Sequence, residues 1–156
     1  MHKQRIYIDT SVIGGCFDEE FAEWSNLLFE EFFNGNKIAV ISDITTKELV
    51  DAPDYVKNII NNIPASEIIT LRRNEEVDYL ASMYIEYKAV SDKFFNDALH
   101  IAFATIENVD LLVSWNFKHI VNYERILKYN SVNLMFGYKH LEIRNPKEVI
   151  PYDKDI

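Results

Sequence analysis

The chain has 156 residues, of which 48% are hydrophobic and 26% carry a charge. This length fits one domain that buries a core without disulfides, and no apolar run approaches the roughly 20 residues of a membrane-spanning helix. The formal net charge of −9 argues against a broad nucleic-acid-binding surface, because such surfaces cluster Lys and Arg. Any action on nucleic acid would therefore need a localised site.

The N-terminus and the cysteine content bear on the cellular compartment. Residues 1–5 lead straight into a strand-like segment, without the apolar stretch of a signal peptide. One cysteine, Cys16, excludes an intramolecular disulfide and is typical of a reducing environment. We therefore expect a cytoplasmic protein with no membrane association, in which Cys16 has a packing role.

The first half of the chain alternates short strands with helices. Residues 5–8, 37–41 (KIAVI) and 67–71 (EIITL) are strand-like runs. Apolar residues at helical spacing predict a helix that Gly35 ends, and a later helix with Pro53 near its first turn. A shorter helix that carries Glu48 is expected before that proline.

The second half continues the alternation. The apolar positions from 77 to 88 trace an amphipathic helix, whereas residues 94–106 are apolar nearly all round, which predicts a buried helix. Residues 111–114 (LLVS) form the next predicted strand, a last helix passes through Ile120, Tyr123 and Leu127, and residues 141–143 are a candidate final strand.

The order of these elements predicts an α/β fold. Strands that are continuous apolar runs and alternate with helices are typical of a parallel sheet covered on both faces. No repeat, low-complexity tract or linker divides the chain. We expect one domain over residues 1–156, with a core from about 4 to 144 and a C-terminal tail from 145 to 156.

Four oxygen-bearing side chains should meet at one edge of this sheet, because ligands of open parallel sheets bind outside the carboxyl ends of the strands. Asp9 follows the first strand and Asn116 follows the strand at 111–114. Asp97 lies near the start of the buried helix, which runs antiparallel to the next strand, and Glu48 lies within two turns of the second strand. Their convergence is the main functional prediction.

Asp110 is the useful control among the acids. It enters the strand at 111–114 from the other end, roughly 20 Å from Asn116 at about 3.3 Å per residue. We therefore expect Asp110 to lie outside the site.

Clustered carboxylates repel one another, so such a site is expected to hold a cation or a proton. Oxygen ligands suit hard divalent cations, and a bound cation can activate water and stabilise charge on a phosphodiester. Each residue also has a structural interpretation: Asp9 and Asn116 are common turn residues, and Glu48 could be solvated. Asp97 is harder to explain in this way, because buried carboxylates are rare unless paired.

Three segments resemble the PIN-domain family. Residues 7–12 (YIDTSV) are similar to its opening strand and acid, and residues 96–102 (NDALHIA) to its D-A-x-H-I-A helix. Residues 114–117 (SWNF) are similar to its last motif, and Glu48 falls where the family carries its second acid. The resemblance spans almost the whole chain.

The resemblance implies a doubly wound parallel sheet of about five strands with helices on both faces, and a nuclease site for Mg²⁺ or Mn²⁺. The metal-binding, catalytic acids that it implies are Asp9, Glu48 and Asp97. Asn116 would hold the fourth metal position, where many members have Asp, and Ser11 and Ser114 would orient ligands or waters.

Family resemblance also implies an activity and partners. The implied activity is metal-dependent cleavage of single-stranded RNA, in the role of the VapC-type toxin of a toxin–antitoxin pair. The implied partners are an antitoxin protein and a second copy of the chain in a homodimer. Two alternatives stay open. One is a catalytically weakened interaction domain, which Asn116 favours. The other is a phosphatase with Asp9 as nucleophile, which Ser11 disfavours because such enzymes usually carry a second Asp there.

The candidate RNA contacts near the predicted edge are Lys93, Trp115, Lys118 and His119. An indole there could stack on a base, although packing is its more frequent role. His100, one turn from Asp97 on the buried helix, is predicted to be a core histidine whose hydrogen bonds are satisfied.

Overall fold

The computed structural model describes residues 2–151. Five strands within this range form one parallel sheet. The strands are β1 (Arg5–Ile8), β2 (Ile38–Ser42), β3 (Ile68–Leu71), β4 (Leu111–Val113) and β5 (Ile143–Arg144). Their order across the sheet is β3-β2-β1-β4-β5, and every neighbouring pair is parallel. The predicted α/β fold and its parallel five-stranded sheet are confirmed.

Helices connect the strands. They are α1 (Thr10–Gly15), α2 (Ala22–Phe33), α3 (Asp43–Glu48), α4 (Asp54–Asn61), α5 (Glu75–Glu86), α6 (Phe95–Glu107), α7 (Tyr123–Met135) and α8 (Pro146–Val149). Short 3-10 turns at Ala65–Glu67 and Asp92–Phe94 precede β3 and α6. Within residues 2–151, no helix combines the length and the apolar character required to cross a lipid bilayer.

The path of the chain creates a switch point between β1 and β4. The chain moves from β1 outward to β2 and β3, and then returns to the other side of β1 to form β4 and β5. Connections on the two sides of this point diverge, and open parallel sheets bind ligands outside the carboxyl ends of the strands at such a point. The residues that follow β1 and β4 therefore occupy the position where such sheets bind ligands.

Alternation along the strands sorts side chains between two cores. Tyr7 and Leu112 point to the core formed with α5, α6 and α7, which also contains Leu99. Ile8 and Val113 point to the core formed with α1, α2 and α4. Alternate residues of an extended chain share a face of the sheet. Asp9, two residues after Tyr7, therefore follows β1 on the face that packs against α6.

Helix α1 was not predicted, because it has six residues and ends in two glycines. Tertiary contacts explain its formation. Gly15 packs so closely that an added Cβ would lie 2.7 Å from Ser25 Oγ and 2.8 Å from Trp115 Nε1. A side chain at Gly15 would therefore force the Ser25 hydroxyl or the indole to move.

Several predicted boundaries also differ. The last predicted helix begins at Tyr123 and leaves Ile120 buried in the preceding turn, and α5 ends before Lys88, whose φ is 61°. Part of the predicted C-terminal tail is packed against the domain: α8 contacts α2, and Ile150 is buried. Residues 152–156 of that tail lie outside the described residues.

Candidate functional site

Asp9 is buried at the carboxyl end of β1, where it is the N-cap of α1. Its Oδ1 accepts hydrogen bonds from the Ser11 hydroxyl at 2.6 Å and from the Val12 amide at 3.3 Å. Its Oδ2 accepts the Ser114 hydroxyl at 2.6 Å. Both carboxylate oxygens are therefore held in a fixed orientation across the β1–β4 switch point.

Ser114 and Asn116 connect Asp9 to the first turn of α6. Ser114 Oγ accepts the backbone N–H of Asn116 at 2.9 Å, and Asn116 Nδ2 donates to Asp97 Oδ2 at 3.3 Å. Asn116 Oδ1 in turn accepts the backbone N–H of His119 at 2.9 Å. The atom that Asn116 presents to Asp97 is thus its amide nitrogen, and the oxygen expected to bind metal serves the turn.

Glu48, the last residue of α3, lies next to α6 and α1. Its Oε1 accepts the Thr10 hydroxyl at 2.7 Å and lies 2.7 Å from Nε2 of His100. Nδ1 of His100 lies 2.6 Å from the Tyr7 hydroxyl. His100 is buried and both of its nitrogens have partners, so the predicted core histidine is confirmed. Its contact with Glu48 was not foreseen.

Asp110 lies at the opposite edge of the sheet. Its Oδ2 accepts the backbone N–H of Arg5, the first residue of β1, at 2.8 Å and lies 3.0 Å from His2 Nε2. The predicted separation of Asp110 from the other acids is confirmed, because strand direction alone places it at the amino end of β4.

The pKa values of the acids reflect their shared environment. Burial raises the pKa of Asp9, although His100 and the hydroxyls of Ser11 and Ser114 oppose the rise. Burial raises the pKa of Asp97 to about 6; His100 opposes this rise, and the nearby charges of Asp9 and Glu48 add to it. The charges of Asp9 and Glu48 thus act on the Asp97 carboxyl group.

Glu48 behaves differently. Burial by itself would raise its pKa, but the hydrogen bond and charge of His100, with the Thr10 hydroxyl, lower it below the ordinary value. Glu48 is therefore ionised, whereas Asp9 and Asp97 resist ionisation. The site combines one carboxylate whose pKa is lowered with two carboxyl groups whose pKa values are raised.

This donor set suits a hard cation in its chemistry, because carboxylate oxygens are available and a cation would relieve the raised pKa values of Asp9 and Asp97. Among residues 2–151, however, no three His, Cys, Asp or Glu side chains are placed to hold one ion together. A cation with few protein ligands and several waters, the usual habit of Mg²⁺, fits better than a fully protein-enclosed ion.

The candidate RNA contacts differ in accessibility. Lys93 and Lys118 are exposed, and the ring of His119 stacks on Phe94 with centroids 3.6 Å apart, which brings the segments of the two lysines together. Burial, followed by the charges of Lys118 and Arg125, lowers the pKa of His119. The positive charge at this edge therefore comes from the lysines and not from His119.

Trp115 packs inside the protein. Only 8% of the residue is exposed, its ring stacks on Phe21 with centroids 4.2 Å apart, and its Nε1 donates to Ser25 Oγ at 2.8 Å. The ring is thus occupied by protein contacts, which supports the packing role over base stacking.

No family model matches the chain, and no curated protein matches it significantly in sequence. Solved structures do. A chain in the crystal structure of VapBC2 from Rickettsia felis bound to a DNA fragment from their promoter matches with a TM-score of 0.56 and 15% identity, over 91% of this chain and 98% of that one. The two chains share a fold.

A second likeness is to tyrosyl-tRNA synthetase from Aeropyrum pernix. Its TM-score is 0.50 at 7% identity, over 92% of this chain and 53% of the synthetase chain. Both likenesses are likenesses of fold. The more complete coverage of the VapBC2 chain makes it the better guide to the arrangement of the whole domain.

Proposed function

We propose that this protein is a metal-dependent endoribonuclease of the PIN type that cleaves single-stranded RNA. The observation that carries the proposal is the hydrogen-bonded connection of Asp9 to Asp97 through Ser114 and Asn116. This connection lies at the switch point of a fold shared with a chain of VapBC2. Ligand binding at this place follows from the sheet topology.

In this proposal Asp9, Glu48 and Asp97 hold Mg²⁺ or Mn²⁺, either directly or through bound water. The ion supplies activation of water and stabilisation of negative charge on the phosphodiester. Ser11 and Ser114 keep the Asp9 carboxylate oriented through their 2.6 Å hydrogen bonds.

In this proposal, two exposed lysines near the acids attract the RNA substrate. Lys93 and Lys118 provide local positive charge for the RNA backbone, and salt screens those acidic side chains that lie farther away than about 8 Å. A local cationic edge reconciles RNA binding with the net charge of −9.

The fold likeness to VapBC2 supports a toxin role with an antitoxin-type protein partner. A homodimer remains part of the proposal, as the resemblance to PIN domains implies.

A second candidate is a PIN-like interaction domain without catalysis. Two observations favour it: Asn116 presents a nitrogen to Asp97, and no three potential ligands within residues 2–151 are arranged around one point. This candidate predicts partner binding without RNA cleavage. A phosphatase is disfavoured, because the Ser11 hydroxyl donates to Asp9 and residue 11 supplies no second carboxylate.

RNA cleavage tests the proposal. The purified chain is incubated with single-stranded RNA in Mn²⁺ or in a chelator, beside the variants Asp9→Asn, Asp97→Asn and Asp110→Asn. Cleavage should require Mn²⁺, disappear in the first two variants and persist in Asp110→Asn, which makes the same chemical change at the opposite edge. Cleavage in the chelator, or by Asp97→Asn, would overturn the assignment. Mn²⁺ binding without cleavage would favour the interaction domain.

A further inference from the structure

His100 is buried at the centre of a line of polar side chains. Ser42 Oγ lies 2.8 Å from the Tyr7 hydroxyl, that hydroxyl lies 2.6 Å from His100 Nδ1, and His100 Nε2 lies 2.7 Å from Glu48 Oε1. Tyr7 and Ser42 are fully buried, and 1% of His100 is exposed. The line therefore begins in the core and ends at the partly exposed Glu48.

The direction of these hydrogen bonds follows from the chemistry of their ends. An ionised carboxylate only accepts, so His100 Nε2 carries a proton that it donates to Glu48. The Tyr7 hydroxyl satisfies the other nitrogen, Nδ1, as a donor when Nδ1 is unprotonated and as an acceptor when it is protonated, and Ser42 Oγ bonds to the same hydroxyl. Every donor in the line has an acceptor.

The same line ties together the elements that carry the acids. Tyr7 lies on β1, two residues before Asp9. His100 lies on α6, three residues after Asp97 and therefore on the same face of the helix. Glu48 itself ends α3. A shift of any of these elements would break a hydrogen bond of the line.

Core packing alone does not explain this composition. Burying hydroxyl and imidazole groups costs free energy that apolar side chains of similar shape avoid. The polar line fixes the direction from which Glu48 Oε1 receives a hydrogen bond. The imidazole is held at Nδ1 by Tyr7 and reaches Glu48 with Nε2. Thr10 donates to the same oxygen from the other side. Two donors thus converge on Glu48 Oε1.

We propose that Tyr7 and His100 are positioning residues that fix the Glu48 carboxylate toward the cation site. The inference rests on the proposed metal-dependent function. His100 orients Glu48, and Tyr7 orients His100 by bonding to Nδ1, which leaves Nε2 to donate to Glu48. Partners of this kind, one contact removed from a ligand, typically alter metal affinity about 10- to 100-fold when they are removed.

Mn²⁺ affinity of the folded protein, measured by calorimetry, tests the proposal with a matched pair of variants. Tyr7→Phe and Tyr84→Phe each remove one buried hydroxyl, and Tyr84 bonds to Thr105 and Asn133 away from the acids. Both variants should lower thermal stability. Only Tyr7→Phe should weaken Mn²⁺ binding, by about tenfold. Equal affinities in the two variants would overturn the positioning role while the proposed function stands.

Substitutions of His100 provide a second comparison should Tyr7→Phe fail to fold. His100→Gln keeps an N–H donor for Glu48 and should retain most of the Mn²⁺ affinity, whereas His100→Leu should lose about tenfold or more. Equal loss in both would overturn the role of the donated hydrogen bond.

Nitrogen NMR of the metal-free wild type separates the remaining outcomes, because it reports which imidazole nitrogen carries the proton. A protonated Nε2 is expected, and an Nε2 without a proton would overturn the proposal. A wild type that binds no Mn²⁺ at all would overturn both this proposal and the metal-dependent function.

Discussion

The side-chain nitrogen of Asn116 lies 3.3 Å from Oδ2 of Asp97, while its oxygen accepts the backbone N–H of His119. These two contacts fix the orientation of the amide, since the turn needs an acceptor and the acid needs a donor. Asn116 therefore lowers the negative charge beside Asp97, where an aspartate would add a fourth carboxyl group.

Replacement of Asn116 by Asp should reverse this effect. Two carboxylates near 4 Å repel each other by up to about 4 kcal/mol at an effective dielectric of about 20, before relaxation and screening. We expect Asn116→Asp to lower the stability of the metal-free protein slightly, measured by urea denaturation, and to tighten Mn²⁺ binding, measured by calorimetry. Unchanged or weaker Mn²⁺ binding would mean that residue 116 is a turn residue and not a metal position.

Mn²⁺ or Mg²⁺ should raise the thermal stability of the wild type. A ligand that binds only the folded state stabilises it by mass action, by about 2.7 kcal/mol at a concentration of about 100 Kd. Asp97→Asn should lose most of the shift in melting temperature, whereas Asp110→Asn should retain it because Asp110 lies at the other edge. A shift of the same size in Asp97→Asn would show that the metal binds elsewhere.

The pH dependence of stability should carry a contribution from Asp97. Its pKa is raised from 3.8 to about 6 in the folded protein. The folded state thus binds this proton more tightly than the unfolded state, so Asp97 destabilises the metal-free protein above pH 6 and less so as the pH falls toward 4.

Asp97→Asn removes the ionisable group and thereby isolates its contribution to the free energy of unfolding. Above about pH 6 the metal-free variant should be more stable than the wild type by about 1–3 kcal/mol, discounted for partial exposure, and this advantage should shrink as the pH falls through 6 toward 4. Urea denaturation at several pH values in chelator measures the difference. A gap that stays constant across this range would contradict the burial of the Asp97 charge.

Charge reversal at Lys118 should weaken RNA binding more than charge reversal at Lys57. Lys118 lies two residues after Asn116, whereas Lys57 lies on α4 and donates to the Val50 carbonyl. We expect Lys118→Glu to reduce affinity several-fold and to flatten its salt dependence, since a phosphate contact is lost. Fluorescence anisotropy with a labelled single-stranded RNA measures both. Equal losses in the two variants would remove Lys118 from the RNA-binding edge.

The order of residues was enough to predict the sheet and the separation of the acids. Apolar runs of strand length, alternating with amphipathic segments, require a covered parallel sheet, and residues 94–106 had to be a buried helix because they are apolar on all sides. Strand direction then assigned Asp9 and Asp110 to opposite edges. These features depend on periodicity and chain direction, which the order of residues specifies locally.

Which side chains meet could be learned only from the packing of the folded chain. Helix α1 has little helical propensity of its own and depends on the Asp9 cap and on the close approach of Gly15 to Trp115. His100 contacts Glu48, which lies 52 residues away in the sequence. Asn116 turns its side-chain nitrogen toward Asp97 because its oxygen accepts the backbone N–H of His119. Hydrogen bonds between distant elements depend on the packed distances and angles between those elements, which no local pattern of residues contains.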